Sequence, residues 1–580
     1  MADPVERLAS ANREYGEYGG FNPSIEISTT FTVLDAKTLP DIFAGKRGPE
    51  KKEGACYLYG RSWSPTVHTL GRQLAALEDT EAAYAVASGM AAISSAIMAL
   101  CNSGDHIVCS NCVYGGTFAF MKSYLPLKAG ISVSFVDITD LDAVAAAFTE
   151  RTKVLSTEVL SNPTLVVSDL PALARIAHAA GAQLVVDNTF TPLAVTPARW
   201  GADVVVHSMT KFISGASDII AGAVCGSNQF LQQLMDLHTG PIMLQGPTMD
   251  PRIASELLLR LPHLPLRVKE HSRRAQAMAE MMEGMGAKVV YPGLPSHKHH
   301  AILKRMLNPG YGFGGLIGLD MQTQAKAEAL MERLQNKHGF GLMAVSLGYA
   351  DTLMSLSAAS TSSELSESDK AKADISDGYV RMSVGITGSL EQRLQQLREA
   401  YTFVVACDGR PPFRATKVQR QPNGRMTELL SWPSGGPSED HVAGSALEAA
   451  PAALAAHGPQ AAVVLAAAAI ADAGSRMVVG GEGWHGPHLH GQGLVAPATV
   501  ALGVTASSAM GSDTCGNTYS DNDYTSDGEE APRVKGGSVS PLTLTGVGKS
   551  RLGPSSSHNV QAVKIRKLDD DTHIVYTPLL

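Results

Sequence analysis

The sequence has few cysteines, and their spacing excludes two classes of protein. Seven cysteines are spread over 580 residues. A small secreted protein has a dense disulfide framework, which so few cysteines in so long a chain do not provide. A reducing compartment is therefore the simpler interpretation. Cys109 and Cys112 form one CxxC pair, but a zinc ribbon needs a second pair at suitable spacing, which the sequence lacks. We therefore predict ordinary reduced thiols.

The sequence also lacks a targeting segment or a long hydrophobic run. The N-terminus, MADPVERLASANREYGEYGG, has acidic residues and no apolar core of a secretory signal. The most apolar stretch, AAVVLAAAAIADAG from Ala461, is too short to span a bilayer. We expect a cytoplasmic protein that does not bind a membrane.

There is no excess of basic residues, since the formal net charge is −8. This balance argues against nucleic acid as a partner.

Two histidine clusters have no supporting cysteine or carboxylate spacing, so we predict loop histidines and no metal site. These clusters are His297, His299 and His300, and His485, His488 and His490.

Short apolar runs alternate with helical patterns from about Tyr84 to Val224, among them HIVCS, KVLSTEV, AQLVVDN and DVVVHS. This alternation predicts an α/β fold whose large domain has a mostly parallel sheet. A smaller α+β domain should follow it, and then a low-complexity, largely disordered extension rich in Gly, Ser and Pro. We place the boundaries at 1–62, 63–262, 263–405 and 406–580.

The stretch ASGMAAISSAIMAL predicts a helix that starts at a possible anion site. Ser88 is a suitable N-cap, and Gly89 and Met90 then open the helix. A helix N-terminus presents free backbone N–H groups to a phosphate. Taken alone, the stretch is better explained as a plain helix start.

Asp187 ends the run AQLVVDN. An acid at the end of a buried strand is unfavourable unless it is paired or hydrogen-bonded. It is either a turn residue, which is the commoner case, or a carboxylate that holds a cationic ring nitrogen.

Lys211 follows the run DVVVHS, and the hydroxyls of Ser208 and Thr210 precede it. The lysine is either an ordinary surface residue or an amine that forms a Schiff base with a carbonyl cofactor, and this segment favours neither. The combination with the two preceding features favours the Schiff-base amine. A helix start for phosphate, a strand-end acid and a strand-end lysine in one α/β domain are the groups that pyridoxal 5′-phosphate (PLP) requires.

Several longer motifs then point to one family. YLYGRSWSPTVHTLGRQLAALE, VYGGTFAF, VVDNTFTPL, VVVHSMTKFISGASDIIAGAVCG and GYVRMSVGI resemble motifs of the Cys/Met-metabolism PLP enzymes, which have fold type I. The likeness is greatest to the plant methionine γ-lyases. It extends from about Tyr15 to Phe403 and does not include Val404 to Leu580.

The resemblance implies roles for thirteen residues. The implied cofactor ligands are Tyr59, Arg61, Gly89, Met90, Tyr114, Glu158, Asp187, Ser208, Thr210 and Lys211. The implied substrate ligands are Asn162, Ser346 and Arg381. Lys211 resembles the lysine that carries the cofactor, and Tyr114 resembles a tyrosine that stacks on its ring and handles protons. Both are implied to be catalytic.

The resemblance also implies an assembly. Tyr59 and Arg61, within the N-terminal arm of residues 1–62, resemble a pair that reaches the phosphate of a neighbouring subunit. Active sites would then be shared in a homotetramer built from two dimers.

A planar guanidinium such as that of Arg381 binds a substrate carboxylate with two hydrogen bonds, which lysine does not reproduce.

The implied reaction is α,γ-elimination of L-methionine to methanethiol, ammonia and 2-oxobutanoate. The alternative is a cystathionine γ-lyase or another trans-sulfuration enzyme acting on cystathionine or homocysteine. Val345 precedes Ser346, at a position where cystathionine γ-lyases carry an acid, and an apolar residue better suits a methyl thioether. Gly116 stands where bacterial methionine lyases have a reactive cysteine, and this lowers the expected specificity for methionine.

Overall fold

The computed structural model describes residues 3–11, 15–49, 56–356 and 376–407, together with the backbone of 414–420 and 426–431. The strands are β1 Ala82–Val86, β2 His106–Ser110, β3 Ser132–Val136, β4 Thr152–Glu158, β5 Gln183–Asp187, β6 Val204–Ser208, β7 Gly222–Gly226, β8 Lys288–Val290, β9 Leu316–Asp320, β10 Gly341–Met343, β11 Thr352–Leu356, β12 Tyr379–Ser383, β13 Arg414–Arg420 and β14 Met426–Ser431. The α-helices are Pro4–Ala11, Thr38–Phe43, Pro65–Glu78, Gly89–Leu100, Gly115–Ala119, Leu141–Ala146, Leu170–Ala179, Asn228–Leu234, Pro241–Gln245, Pro251–Arg260, Leu264–Gly284, His300–Met306, Gln324–Glu332 and Leu390–Ala406. Shorter 3₁₀ or π segments are Phe120–Ala129, Pro197–Trp200, Leu261–His263 and Arg333–Lys337.

Strands β1 to β7 form one sheet in the order β1-β7-β6-β5-β4-β2-β3. The pairs β3–β2, β2–β4, β4–β5 and β5–β6 are parallel, whereas β7 is antiparallel to both of its neighbours. A parallel return needs a crossover, usually a helix, and the connection from β6 to β7 contains none. The chain therefore turns back on itself after Ser208.

The middle of this sheet is apolar on both faces, which explains the continuous hydrophobic runs in the sequence. In β6, Val205 packs into a cluster with the helix Pro65–Glu78, through residues such as Leu74. Val204 and Val206 point to the other face and pack with residues of the helix Gly89–Leu100, such as Ile97. Successive strand residues thus bury alternate side chains in two separate layers.

A second sheet has five strands in the order β10-β11-β12-β9-β8. Its core contains residues of the helices Leu264–Gly284, Gln324–Glu332 and Leu390–Ala406. Strand β12, which carries Arg381, lies between β11 and β9 and pairs antiparallel with both. This mixture of short strands and helices is the α+β pattern that the sequence predicts.

The predicted fold class is confirmed, with a mostly parallel large sheet followed by a smaller mixed one. Strands β13 and β14 form an antiparallel pair within the predicted extension, which sequence reasoning missed. For the rest of the predicted extension, residues 408–413, 421–425 and 432–580, the prediction of disorder lies outside the described residues. Among the helices of the described part, none is both long and apolar enough to cross a membrane.

Candidate active site

Three neighbouring strands end in polar residues at the same edge of the large sheet. Glu158 ends β4, Asp187 ends β5 and Ser208 ends β6. The register pairs Glu158 with Asp187, and Asp187 with Val206. Because these strands are parallel, their carboxyl ends form one cluster, which is where open α/β sheets bind ligands.

Asp187 is held by a residue that the sequence did not single out. Its Oδ1 accepts hydrogen bonds from the backbone N of Thr189 at 2.9 Å and from Thr189 Oγ1 at 2.5 Å. Thr189 Oγ1 in turn accepts a hydrogen bond from the backbone N of Ser208 at 2.8 Å. Thr189 therefore links the ends of β5 and β6. The signal was present, because an Asp two residues before a Thr favours this local turn.

Glu158 lies beside Asp187 and joins two predicted site residues. Its Oε1 accepts a hydrogen bond from the backbone N of Tyr114 at 2.7 Å, and its Oε2 accepts one from the backbone N of Asn162 at 3.0 Å. Burial, and then the charge of Asp187, raise the pKa of Glu158 well above its usual range. Burial also raises the pKa of Asp187, against the two hydrogen bonds from Thr189.

The predicted helix start lies against the end of β6. Ser88 Oγ accepts a hydrogen bond from the backbone N of Ala91, which confirms its role as the N-cap. A Cβ on Gly89 would lie 2.7 Å from Ser208 Cβ, so only glycine permits this close approach. The first N–H groups of a helix, here those of Gly89 and Met90, have no carbonyl partner within the helix.

Lys211 lies three residues after the end of β6, and its side chain contacts the segment between β10 and β11 of the smaller sheet. Its Nζ donates a hydrogen bond of 2.8 Å to Ser346 Oγ. Burial, and then the positive charge of Arg381, lower the pKa of this amine. The hydroxyl of Thr210 accepts a hydrogen bond from the backbone N of Ala221 at 3.0 Å, so it also supports the turn that carries the lysine.

Arg381 contacts both of the other predicted substrate residues. Its Nη1 donates to Asn162 Oδ1 at 2.8 Å and its Nη2 donates to the carbonyl oxygen of Ser346 at 3.0 Å. The side chain is buried, which lowers its pKa to about 10. Its Nε has no hydrogen-bond partner among the described residues. Ser346 has φ +100°, an unfavourable backbone conformation of the kind that concentrates at functional sites.

Tyr114 lies near Met90, at the start of the helix Gly89–Leu100, and is more exposed than Arg381. Tyr114 is 45% exposed and directly precedes the helix Gly115–Ala119. A Cβ on Gly116 would meet the Tyr114 ring at 2.6 Å and Met90 Sδ at 3.3 Å. A larger residue at 116 would therefore displace Tyr114 or Met90.

Tyr59 and Arg61 are not brought into this cluster. Arg61 Nη1 donates a hydrogen bond to the carbonyl oxygen of Met243, and its guanidinium lies 5.7 Å from the centre of the Tyr59 ring. In the part of the chain that the structure describes, no hydrogen bond joins either residue to Lys211 or Asp187. No group of three His, Cys, Asp or Glu side chains within that same part is placed to hold a metal ion.

The cluster fits PLP chemically. A helix start offers N–H groups for a phosphate, Asp187 offers a carboxylate, and Lys211 offers a partly buried amine whose pKa is lowered. Arg381 adds a buried guanidinium with an unused Nε donor, which suits the carboxylate of a substrate.

The comparisons with known proteins agree with this chemistry. A sequence model of the Cys/Met metabolism PLP-dependent enzymes matches residues 7–400. A methionine gamma-lyase of Arabidopsis thaliana is 54% identical over 401 residues, which cover 69% of this chain and 90% of that protein. A cystathionine beta-lyase of Lactococcus lactis is 36% identical over 347 residues, covering 59% of this chain and 88% of that protein.

A solved structure is similar as well. A Campylobacter jejuni protein, described as an O-acetylhomoserine (thiol)-lyase, matches with a TM-score of 0.63 and 26% identity. The match covers 69% of this chain and all of that one, and that structure contains N′-pyridoxyl-lysine-5′-monophosphate. The predicted cofactor, PLP, and the predicted enzyme class, a carbon–sulfur lyase, are confirmed. The chain belongs to the Cys/Met metabolism PLP-dependent enzyme family.

Proposed function

We propose that the chain catalyses α,γ-elimination of L-methionine, which with one water gives methanethiol, ammonia and 2-oxobutanoate. The observation that carries the proposal is the position of the Lys211 amine, which bonds Ser346 Oγ while Arg381 bonds the carbonyl oxygen of the same serine. A substrate carboxylate on Arg381 would therefore bring its Cα close to the amine. The 54% identity to a methionine gamma-lyase supports methionine as the substrate.

The residues that would hold the cofactor are those of the strand-end cluster. Lys211 would bind it covalently, Asp187 would face its ring nitrogen, and the helix start at Gly89 and Met90, with Ser208 and Thr210, would hold its phosphate. When bound, PLP supplies an electron-withdrawing ring that stabilises negative charge at the substrate Cα. Tyr114, which is partly exposed beside Met90, would cover the ring.

Two residues of this chain would move protons. Once its amine is free, Lys211 would remove the proton at Cα, give that proton up, and then remove one at Cβ, since its lowered pKa makes a neutral amine available. Tyr114 would donate a proton to the sulfur that leaves from Cγ. Arg381, Asn162 and Ser346 would hold the carboxylate still during both steps, because a fixed substrate needs no reorientation between them.

We further propose a homotetramer with shared active sites, in the cytoplasm. The arm exposes large apolar side chains that a second copy would cover, such as Tyr18 at 95%, Phe21 at 91% and Leu34 at 101%. Arg61 and Tyr59 lie apart from the lysine cluster of their own chain, which suits a contribution to a neighbouring site. In this proposal residues 1–62 are the arm, 63–262 the cofactor domain, 263–405 the small domain and 406–580 an extension.

The test is an assay of the purified protein with L-methionine, L-homocysteine and L-cystathionine, in which methanethiol and 2-oxobutanoate are measured. Methanethiol from methionine supports the proposal. Cleavage of cystathionine alone would favour the alternative, a trans-sulfuration enzyme that acts on cystathionine. The 36% identity to a cystathionine beta-lyase supports that alternative. The Lys211→Ala variant is the control, and 2-oxobutanoate formation by this variant would contradict the role given to the lysine.

A further inference from the structure

A buried carboxylate lies behind the strand ends that form the site. Glu78 is the last residue of the helix Pro65–Glu78 and is only 1% exposed. Its Oε1 accepts hydrogen bonds from His207 Nε2 at 2.7 Å and from Asn188 Nδ2 at 2.9 Å. Both donors are themselves fully buried. One oxygen atom thus joins the residue after Asp187 to the residue before Ser208.

The alternation of side chains in a strand shows which face this carboxylate occupies. Val186 and Val205 pack with the helix Pro65–Glu78, so Asn188 and His207 point to that same face. Val185 and Val206 pack on the opposite face, to which Asp187 and Ser208 also point. The two bonds of Glu78 are therefore made one residue away from two proposed cofactor ligands, on the reverse side of the sheet.

The position of Glu78 is unfavourable for the helix itself. A negative charge at a helix C-terminus opposes the helix dipole, and a buried carboxylate needs partners to offset the loss of water. Its second oxygen, Oε2, has no hydrogen-bond partner among the described residues. Local rules are broken in this way mostly at functional sites.

We propose that Glu78 is a positioning residue for the cofactor site. Its carboxylate holds the carboxyl ends of β5 and β6 together from the far face of the sheet, and so orients Asp187 and Ser208. The inference rests on the proposed placement of PLP against those two residues. Burial raises the pKa of Asp187, and the hydrogen bonds of Thr189 and then the charge of His207 act against that rise.

The experiment compares Glu78→Leu with Glu78→Gln by titrating each apo-protein with PLP, recording the dissociation constant and the absorption spectrum of the bound cofactor. Leucine removes both hydrogen bonds, and we expect PLP binding weaker by about tenfold or more together with an altered spectrum. Glutamine retains an acceptor oxygen, so binding within about threefold of wild type is expected, with a normal spectrum. If Glu78→Leu does not fold, His207→Leu, which removes one of the two bonds, replaces it.

A matched control lies at the other end of the same sheet. His106 bonds Thr152 Oγ1 at 2.8 Å and Ser134 Oγ at 2.9 Å, so it joins the amino ends of β2 and β4 to the middle of β3. His106→Leu should lower the free energy of unfolding without changing PLP binding. Equal loss of PLP binding in His106→Leu, or normal binding in Glu78→Leu, would overturn the inference.

A third variant separates this inference from the proposed function. Asp187→Asn should weaken PLP binding if the carboxylate faces the ring nitrogen. If Asp187→Asn binds PLP normally, the proposed placement is wrong and the inference falls with it. If Asp187→Asn binds poorly while Glu78→Leu binds normally, only the inference is overturned.

Discussion

Lys211 Nζ lies 2.8 Å from Ser346 Oγ, although 135 residues separate the two in the sequence. The lysine comes from the turn after β6 of the large sheet, and the serine from the segment between β10 and β11 of the smaller one. The hydrogen bond therefore joins the half of the chain proposed to hold the cofactor to the half proposed to hold the substrate. Because this bond holds the lysine amine beside Ser346, it would fix the position at which the amine meets the reacting atoms of the substrate.

The apo-protein should show a depressed pKa for Lys211. Burial and the charge of Arg381 lower it, so the neutral amine exists at lower pH than for an ordinary lysine. The folded chain then binds fewer protons than the unfolded chain as the pH falls. The contribution of this group to stability is therefore lost as the pH falls from the unfolded pKa, about 10.4, to the folded one.

Competitive acetylation of the apo-protein, followed by peptide mass spectrometry over a pH series, measures this pKa. The exposed Lys153 is the reference in the same samples. Arg381→Leu should raise the pKa of Lys211 relative to wild type, since it removes a nearby positive charge. Identical pH profiles for Lys211 and Lys153 would refute the prediction.

Arg381→Lys should weaken methionine binding more than it affects the cofactor. Lysine cannot make the two parallel hydrogen bonds of a guanidinium, so we expect kcat/KM to fall by about 10- to 100-fold. The absorbance of bound PLP should stay normal, because Arg381 bonds Asn162 and Ser346 rather than the cofactor residues. Steady-state kinetics and an absorption spectrum distinguish the two effects. A loss of PLP absorbance would contradict the assignment of Arg381 to the substrate.

Gly89→Ala should damage the helix start against which Ser208 packs. The added Cβ would lie 2.7 Å from Ser208 Cβ and 3.0 Å from its Cα, so the strand end or the helix must shift. Overpacking of this kind costs about 1–3 kcal/mol of unfolding free energy, and PLP affinity should fall with it. Urea denaturation and PLP titration are the measurements.

Gly284 is the matched control for this change, because it also lies in a helix but an added Cβ would meet nothing within 4 Å. Gly284→Ala should leave PLP binding unchanged and alter stability by no more than about 1 kcal/mol. Similar results for the two variants would exclude the close packing of Gly89 as the cause.

Subunit mixing should restore activity to two inactive proteins. If Arg61 serves a neighbouring active site, then Lys211→Ala and Arg61→Ala variants, each inactive alone, form one complete site when their subunits mix. Unfolding and refolding the two together, followed by the 2-oxobutanoate assay, measures the recovery. The same treatment of either variant alone is the control, and no recovery in the mixture would contradict shared sites.

Much of the fold and of the site could be predicted from short stretches of sequence. The apolar runs that end in Asp187 and Ser208 are local signals of parallel strands, and parallel strands bring such ends together. The Ser88 N-cap is likewise local, because it involves only the next three residues. The antiparallel turn into β7 was not predicted, since an apolar run does not specify the direction of its strand.

Other features have no local signal. Glu78 is an ordinary acid at the end of a helix until the fold places His207 and Asn188 beside it. The link from Glu158 to the backbone of Tyr114 is of the same kind, because the two are 44 positions apart in the sequence. Motif resemblance identified Glu158 but said nothing of what it bonds.

The sequence by itself determined the class of this protein, because alternating strand and helix patterns and the order of acid, hydroxyls and lysine depend only on neighbours along the chain. The tertiary structure alone decided the environment of Lys211. Its lowered pKa arises from burial and from Arg381, which a strand of the other sheet supplies. Charge and desolvation act through space, and only the folded chain brings these groups within reach of each other.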